Sequence, residues 1–82
     1  MHEPMGRLDA FDVGAKKLTI QTEYFARPAR RVETKVYLGG ALKKVYTEDL
    51  SGIVEGDVQA RIDTFHQARI DEIVEGLRAR KA

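Results

Sequence analysis

The stretch Arg31-Val-Glu-Thr-Lys-Val-Tyr-Leu-Gly-Gly-Ala-Leu-Lys-Lys-Val-Tyr-Thr47 decides the fold. Two runs rich in Val, Tyr and Thr meet at Gly39-Gly40. A two-residue Gly-Gly link suits the mirror-image turn of a β-hairpin, in which both central residues need φ > 0. The hairpin fixes an architecture and carries no reaction chemistry.

Upstream, Lys17-Leu-Thr-Ile-Gln-Thr-Glu-Tyr-Phe25 alternates as a half-buried strand does. Leu18, Ile20, Thr22 and Tyr24 share one face, and Lys17, Thr19, Gln21 and Glu23 the other. Arg27-Pro28-Ala29 breaks the pattern, because proline has no donor for a ladder and biases Arg27 toward an extended conformation. Closing that turn with an odd number of residues sets Leu18 beside Leu38, Ile20 beside Val36 and Tyr24 beside Val32, all on the core face. An even-length loop would send Leu18 and Ile20 to the other side.

Pairing Leu38 with Ala41 places Val36 opposite Lys43, Thr34 opposite Val45 and Val32 opposite Thr47. The reverse face then gathers Phe25, Tyr37, Leu42 and Tyr46 with Arg31, Glu33, Lys35 and Lys44. Lys35 directly across from Lys44 is a like-charge pair, unfavourable unless an acidic group offsets it. This face is the most functional-looking feature of the chain.

Thr47 to Gly52 reads as a connection, and from about Asp57 the apolar period becomes helical. At roughly 100° per residue, Val58, Ile62, Phe65, Ile73 and Leu77 form one stripe with Ile70 on its border. Asp57 suits an N-cap, and Arg78, Arg80 and Lys81 suit the negative end of the helix dipole. Arg69 projects near the centre of the stripe, where its stem covers apolar surface or its charge meets an acid across a subunit interface. Ile70 and Val74 widen the apolar arc beyond one sheet face, so Arg69, Ile70 and Val74 are the candidate helix interface.

The segment from Met1 to about Lys16 has Pro4, Gly6 and Gly14 and only scattered apolar residues. It reads as a flexible or loosely docked tail over 1–16, with Leu8 to Val13 available as a short turn or edge strand. The expected fold is therefore α+β: a three-stranded antiparallel β-meander packed against one long C-terminal α-helix, a single β-β-β-α domain over 17–82.

Composition narrows the function classes. A chain of 82 residues buries only about 60% of its unfolded surface, so a partner or second copy would add stability. There is no cysteine, which closes disulfide and thiolate-zinc readings. No apolar run approaches the ~20 residues of a membrane span, and the amino terminus lacks the apolar core of a signal peptide. A soluble, cytoplasmic protein without membrane contact is expected. The net charge of +1 hides segregation. Arg27, Arg30, Arg31, Lys35, Lys43 and Lys44 face only Glu33 in one block, and Glu48, Asp49, Glu55 and Asp57 follow without a base among them.

Catalytic material is sparse. Ser51, the only serine, sits beside a glycine in a connection and resembles no nucleophile elbow. His66 with Asp63 three residues earlier is a spacing any charged helix produces by chance, and His2 is read as a plain terminal residue. Gly39-Gly40 lacks the Gly-Lys-Ser/Thr of a phosphate loop. No catalytic residue, metal or cofactor is assigned.

Two binding readings remain. A sheet face carrying Arg31, Lys35 and Lys44 beside Phe25, Tyr37 and Tyr46 offers phosphate attraction and stacking for nucleic acid. Against it stand a pI of about 8.1, Glu23 and Glu33 inside the face, and no asparagine for adenine readout. The favoured expectation is a small non-enzymatic interaction or assembly module, acting as a homodimer through the uncovered aromatic face. Nucleic-acid binding through that face is the alternative, and an unidentified protein is the other expected partner.

Overall fold

Three connections turn the first half of the chain into one antiparallel sheet. In the computed structural model, which describes residues 5–81, the strands are β1 (Arg7–Val13), β2 (Lys16–Phe25), β3 (Arg31–Leu38) and β4 (Ala41–Asp49), in spatial order β1-β2-β3-β4. A 3-10 turn, Glu55–Asp57, leads into the single helix α1 (Val58–Lys81). The architecture is α+β with a C-terminal helix, but it has four strands. The reading of His2 falls outside the described residues.

The hairpin at Gly39-Gly40 forms as its chemistry requires, with φ of 61° and 85° at the two glycines. The loop between Phe25 and Arg31 is odd in length. It pairs Leu18 with Leu38, Ile20 with Val36 and Tyr24 with Val32, the register that burial demanded.

Two expectations are corrected. The first is the strand count: Arg7–Val13, within the segment open to an edge-strand reading, is a full edge strand that pairs along β2 from Arg7↔Thr22 to Val13↔Lys16, and it makes four strands in place of three. Hydrophobic alternation misses it because the residues it turns toward the helix include Arg7 and Asp9. The second is β4. A bulge lies where Tyr37 pairs with Leu42 but Val36 pairs with Lys44, so Lys43 is an extra residue. One inserted residue changes the parity of everything beyond it. Lys44, Tyr46 and Glu48 therefore stand on the helix side, opposite Val36, Thr34 and Val32, while Val45 and Thr47 join the open side.

The helix lies on one face of the sheet. Its stripe is buried as the periodicity predicts: Val58, Ile62 and Phe65 join Val32 and Leu50 in one apolar cluster, with Tyr24, Tyr46 and Ile53 packed against it. Ile70, Ile73 and Leu77 pack on a second cluster of Leu18, Ile20 and Val36, beside Val13, Leu38 and Tyr46. Fully burying a side chain such as Ile20 or Ile62 stabilises the fold by about 1.5–3 kcal/mol. Among the described residues, no helix is long and apolar enough to cross a membrane.

Candidate functional site

The sheet face that α1 leaves uncovered can be read row by row from the register. Ala10, Thr19, Tyr37 and Leu42 form one row, and Leu8, Gln21, Lys35 and Val45 the next. Glu23, Glu33 and Thr47 follow, then Phe25, Arg31 and Asp49. The first two rows are apolar or neutral apart from Lys35, and they carry large exposed hydrophobic side chains: Leu8 at 65%, Leu42 at 52% and Val45 at 46%.

The last two rows are charged, and Arg31, Glu33 and Asp49 are hydrogen-bonded within the chain. Arg31 stacks on the Phe25 ring at 4.4 Å. Its Nε donates to Glu33 Oε2 at 3.0 Å, and a terminal nitrogen donates to the Arg27 carbonyl at 3.0 Å. At the end of β4, the backbone N–H of Ser51 donates to Asp49, and its hydroxyl donates to the other carboxylate oxygen, each at 3.0 Å. These two bonds, the backbone one foremost, hold the Asp49 pKa below its ordinary value of 3.8.

Of the residues predicted for this face, Phe25, Arg31, Lys35, Tyr37 and Leu42 stand on it, and Lys44 and Tyr46 do not. The bulge at Lys43 turns both toward the helix. The Lys44 ammonium sits 4.9 Å from the centre of the Tyr46 ring, and the Arg69 guanidinium covers the same ring at 4.9 Å. Lys35 thus faces Val45, and the like-charge pair does not form. Val45 and Leu8 are the members of the face that strict alternation missed. Nothing local in Ala41–Asp49 announces the extra residue, whereas Leu8 follows once β1 is recognised.

The three predicted helix-interface residues separate. Arg69 lies between the Tyr46 and Phe65 rings, 4.6 Å from the latter, and its Nε donates to Glu72 Oε2 at 2.8 Å. Its charge is met within its own chain. Ile70 packs on the core. Val74 alone stays on the outer flank, in a shallow depression with Asp71, Glu75 and Arg78.

His66 has a role that sequence spacing did not reveal. It is fully buried, and both ring nitrogens are engaged: Nδ1 lies 2.7 Å from Thr22 Oγ1, and Nε2 lies 2.7 Å from Asp9 Oδ2. A carboxylate only accepts, so Nε2 donates, and in the neutral ring Nδ1 accepts a hydrogen bond from the Thr22 hydroxyl. Thr22 and Thr34 are joined at 2.6 Å, which extends the chain across β1, α1, β2 and β3. The order hydroxyl, imidazole, carboxylate is that of a nucleophilic triad. Thr22 is 1% exposed, however, so no substrate reaches its oxygen in this conformation.

Asp63, the neighbour suggested by sequence, turns elsewhere. It accepts from Arg7 and from Gln59, each at 3.2 Å. Gln59 also exchanges two hydrogen bonds with the Met5 backbone. Met5, just before β1, and Arg7 and Asp9 within it, every second residue of the chain here, thus meet Gln59, Asp63 and His66, about one residue per helical turn. That polar match is the signal that could have placed β1. Among the described residues, no group of three or more His, Asp or Glu side chains has metal-binding geometry.

No family model, curated protein or solved structure matches this chain.

Proposed function

We propose that the protein is a small non-enzymatic interaction module that self-associates through the uncovered sheet face. The observation that carries this reading is the cluster of Leu8, Tyr37, Leu42 and Val45 in two adjacent rows, on the side opposite the only helix described. Exposed apolar clusters of this kind on small soluble domains mark contacts.

Electrostatics favour a protein partner over a polyanion. By register the face carries Lys17, Arg31 and Lys35 against Asp12, Glu23, Glu33 and Asp49. Arg31 is already committed to Glu33. A two-fold axis running along the strands lays the Leu8, Tyr37, Leu42 and Val45 rows of two copies against each other, which suits an isologous contact.

The expected strength follows from size. Four strands at about 4.8 Å and some eight residues at about 3.4 Å give roughly 500 Å² per copy, or about 1,000 Å² in all. That lies at the low end for a specific interface, so a weak, concentration-dependent dimer is expected.

Sedimentation equilibrium over a micromolar to millimolar series tests it. The mass of the native chain should climb toward twice that of the monomer. The double variant Leu42→Asp, Val45→Asp, altered only at exposed positions, should remain monomeric with an unchanged circular dichroism spectrum. A native chain that stays monomeric throughout, or a variant that dimerises equally well, overturns the reading.

A further inference from the structure

We infer that the groove between the C-terminal half of α1 and the turn end of the sheet is a binding site for a linear aliphatic carboxylate. The groove is about 600 Å³ and is lined by Val13, Leu18, Val36, Leu38, Ile73 and Leu77, with Gly76 on the helix side and Lys43 and Lys44 on the strand side. This volume and this chemistry, a mostly apolar lining with a few polar groups, are those of small-molecule sites.

Three observations choose the occupant. First, the β4 bulge turns Lys44 to the helix side and leaves Lys43 beside it, so two lysines line one side of an otherwise apolar groove. Among the described residues neither lysine is ion-paired; the Lys44 ammonium rests over the Tyr46 ring, a contact a carboxylate can share or replace. Second, Gly76 interrupts the helix interior where glycine weakens a helix, and a Cβ built there meets nothing within 4 Å. A larger residue would fit and would strengthen the helix, at the cost of filling the groove. Third, Val13, Leu38, Ile73 and Leu77 are only half-buried although they pack against the buried cluster of Leu18, Ile20 and Val36, so a bound chain would complete their burial. Apolar walls with cations at one side match a ligand with a hydrocarbon tail and an anionic head.

Titration calorimetry with octanoate, decanoate and dodecanoate below their micelle concentrations tests the assignment on the full chain. One saturable site is expected, with affinity rising about fourfold per added methylene, or about fifteenfold per two. Lys44→Met should weaken dodecanoate severalfold and leave 1-dodecanol unchanged. Gly76→Leu should abolish binding of both while raising the melting temperature, which separates a filled groove from a damaged fold. The monomeric Leu42→Asp, Val45→Asp variant should bind as the native chain does, so this site and the proposed dimer face fail independently. Absence of saturable binding, indifference to Gly76→Leu, or binding to phosphatidylglycerol vesicles without binding to free dodecanoate each overturns the proposal.

Discussion

The two ends of the helix–sheet interface use the same helix and the same strands, yet one is closed and the other open. At the end where α1 begins, Val32, Leu50, Val58 and Ile62 are entirely buried. At the end where α1 finishes, Val13, Leu38, Ile73 and Leu77 remain half-buried around a groove. The difference lies in the connections. At the closed end the segment after β4 folds Leu50 and Ile53 onto the sheet, and Arg30 fastens it by donating to the carbonyls of Ser51 and Ile53 at 3.3 and 2.8 Å. At the open end the strands are joined by the two-residue links Gly14-Ala15 and Gly39-Gly40, which reverse the chain but supply no side chain to cover the core. A tight turn fixes register, and a longer connection seals.

The contrast predicts an asymmetry in stability that urea denaturation can break. Ile62→Ala removes a fully buried side chain at the closed end and should cost about 2–5 kcal/mol, enough to unfold much of a domain this small. Leu77→Ala lies at the open end, where water already reaches the lining, and should cost about 1 kcal/mol or less. Equal losses for the two variants would show that the open end is closed in solution.

Between the two clusters runs the polar chain Asp9, His66, Thr22, Thr34, and its members should differ by position. Thr22→Val keeps the shape but strands His66 Nδ1 and the Thr34 hydroxyl together, at an expected cost of about 1–3 kcal/mol. Thr34→Val removes only the terminal member and should cost about 1 kcal/mol less. Amide exchange should then show β1 losing protection first in Thr22→Val, because His66 links Asp9 of that strand to the core. The reverse order of stabilities would mean that the chain is anchored at Thr34.

The same division marks what sequence reading could reach. The closed end and the central strands were legible because their signals are local and apolar: a period of two through Leu18, Ile20 and Thr22, a helical period through Val58, Ile62 and Phe65, and a glycine pair that permits one kind of turn. β1 was legible only as one option for Leu8 to Val13, because it turns Arg7 and Asp9 inward to meet Gln59, Asp63 and His66, and apolar periodicity is blind to polar pairing across more than fifty residues. The open face was legible in part. Phe25, Arg31, Lys35, Tyr37 and Leu42 follow from alternation alone, but Lys44 and Tyr46 depend on counting residues past Lys43. A bulge is a property of two strands together, and inspection of one does not reveal it.

The connection that closes the core supplies the finest test of the contrast, through Asp49 and Ser51. Because hydrogen bonds from Ser51 lower the Asp49 pKa in the folded chain, folding is favoured by the ionised carboxylate. That contribution is fully present above the ordinary value of 3.8 and is lost as pH falls through the lower folded value. Ser51→Ala deletes the hydroxyl donor and keeps the backbone N–H, the larger of the two causes. The expected effect is a small drop in melting temperature at neutral pH that shrinks as acid protonates Asp49. The difference between native chain and variant isolates this carboxylate. Asp49 is exposed, and the drop should be the smallest among these variants. Because the turn belongs to the closed end, Ser51→Ala should leave alkanoate binding at the opposite end unchanged. A loss of that binding would mean the two ends are mechanically coupled through α1, and sealing one would then govern the width of the other.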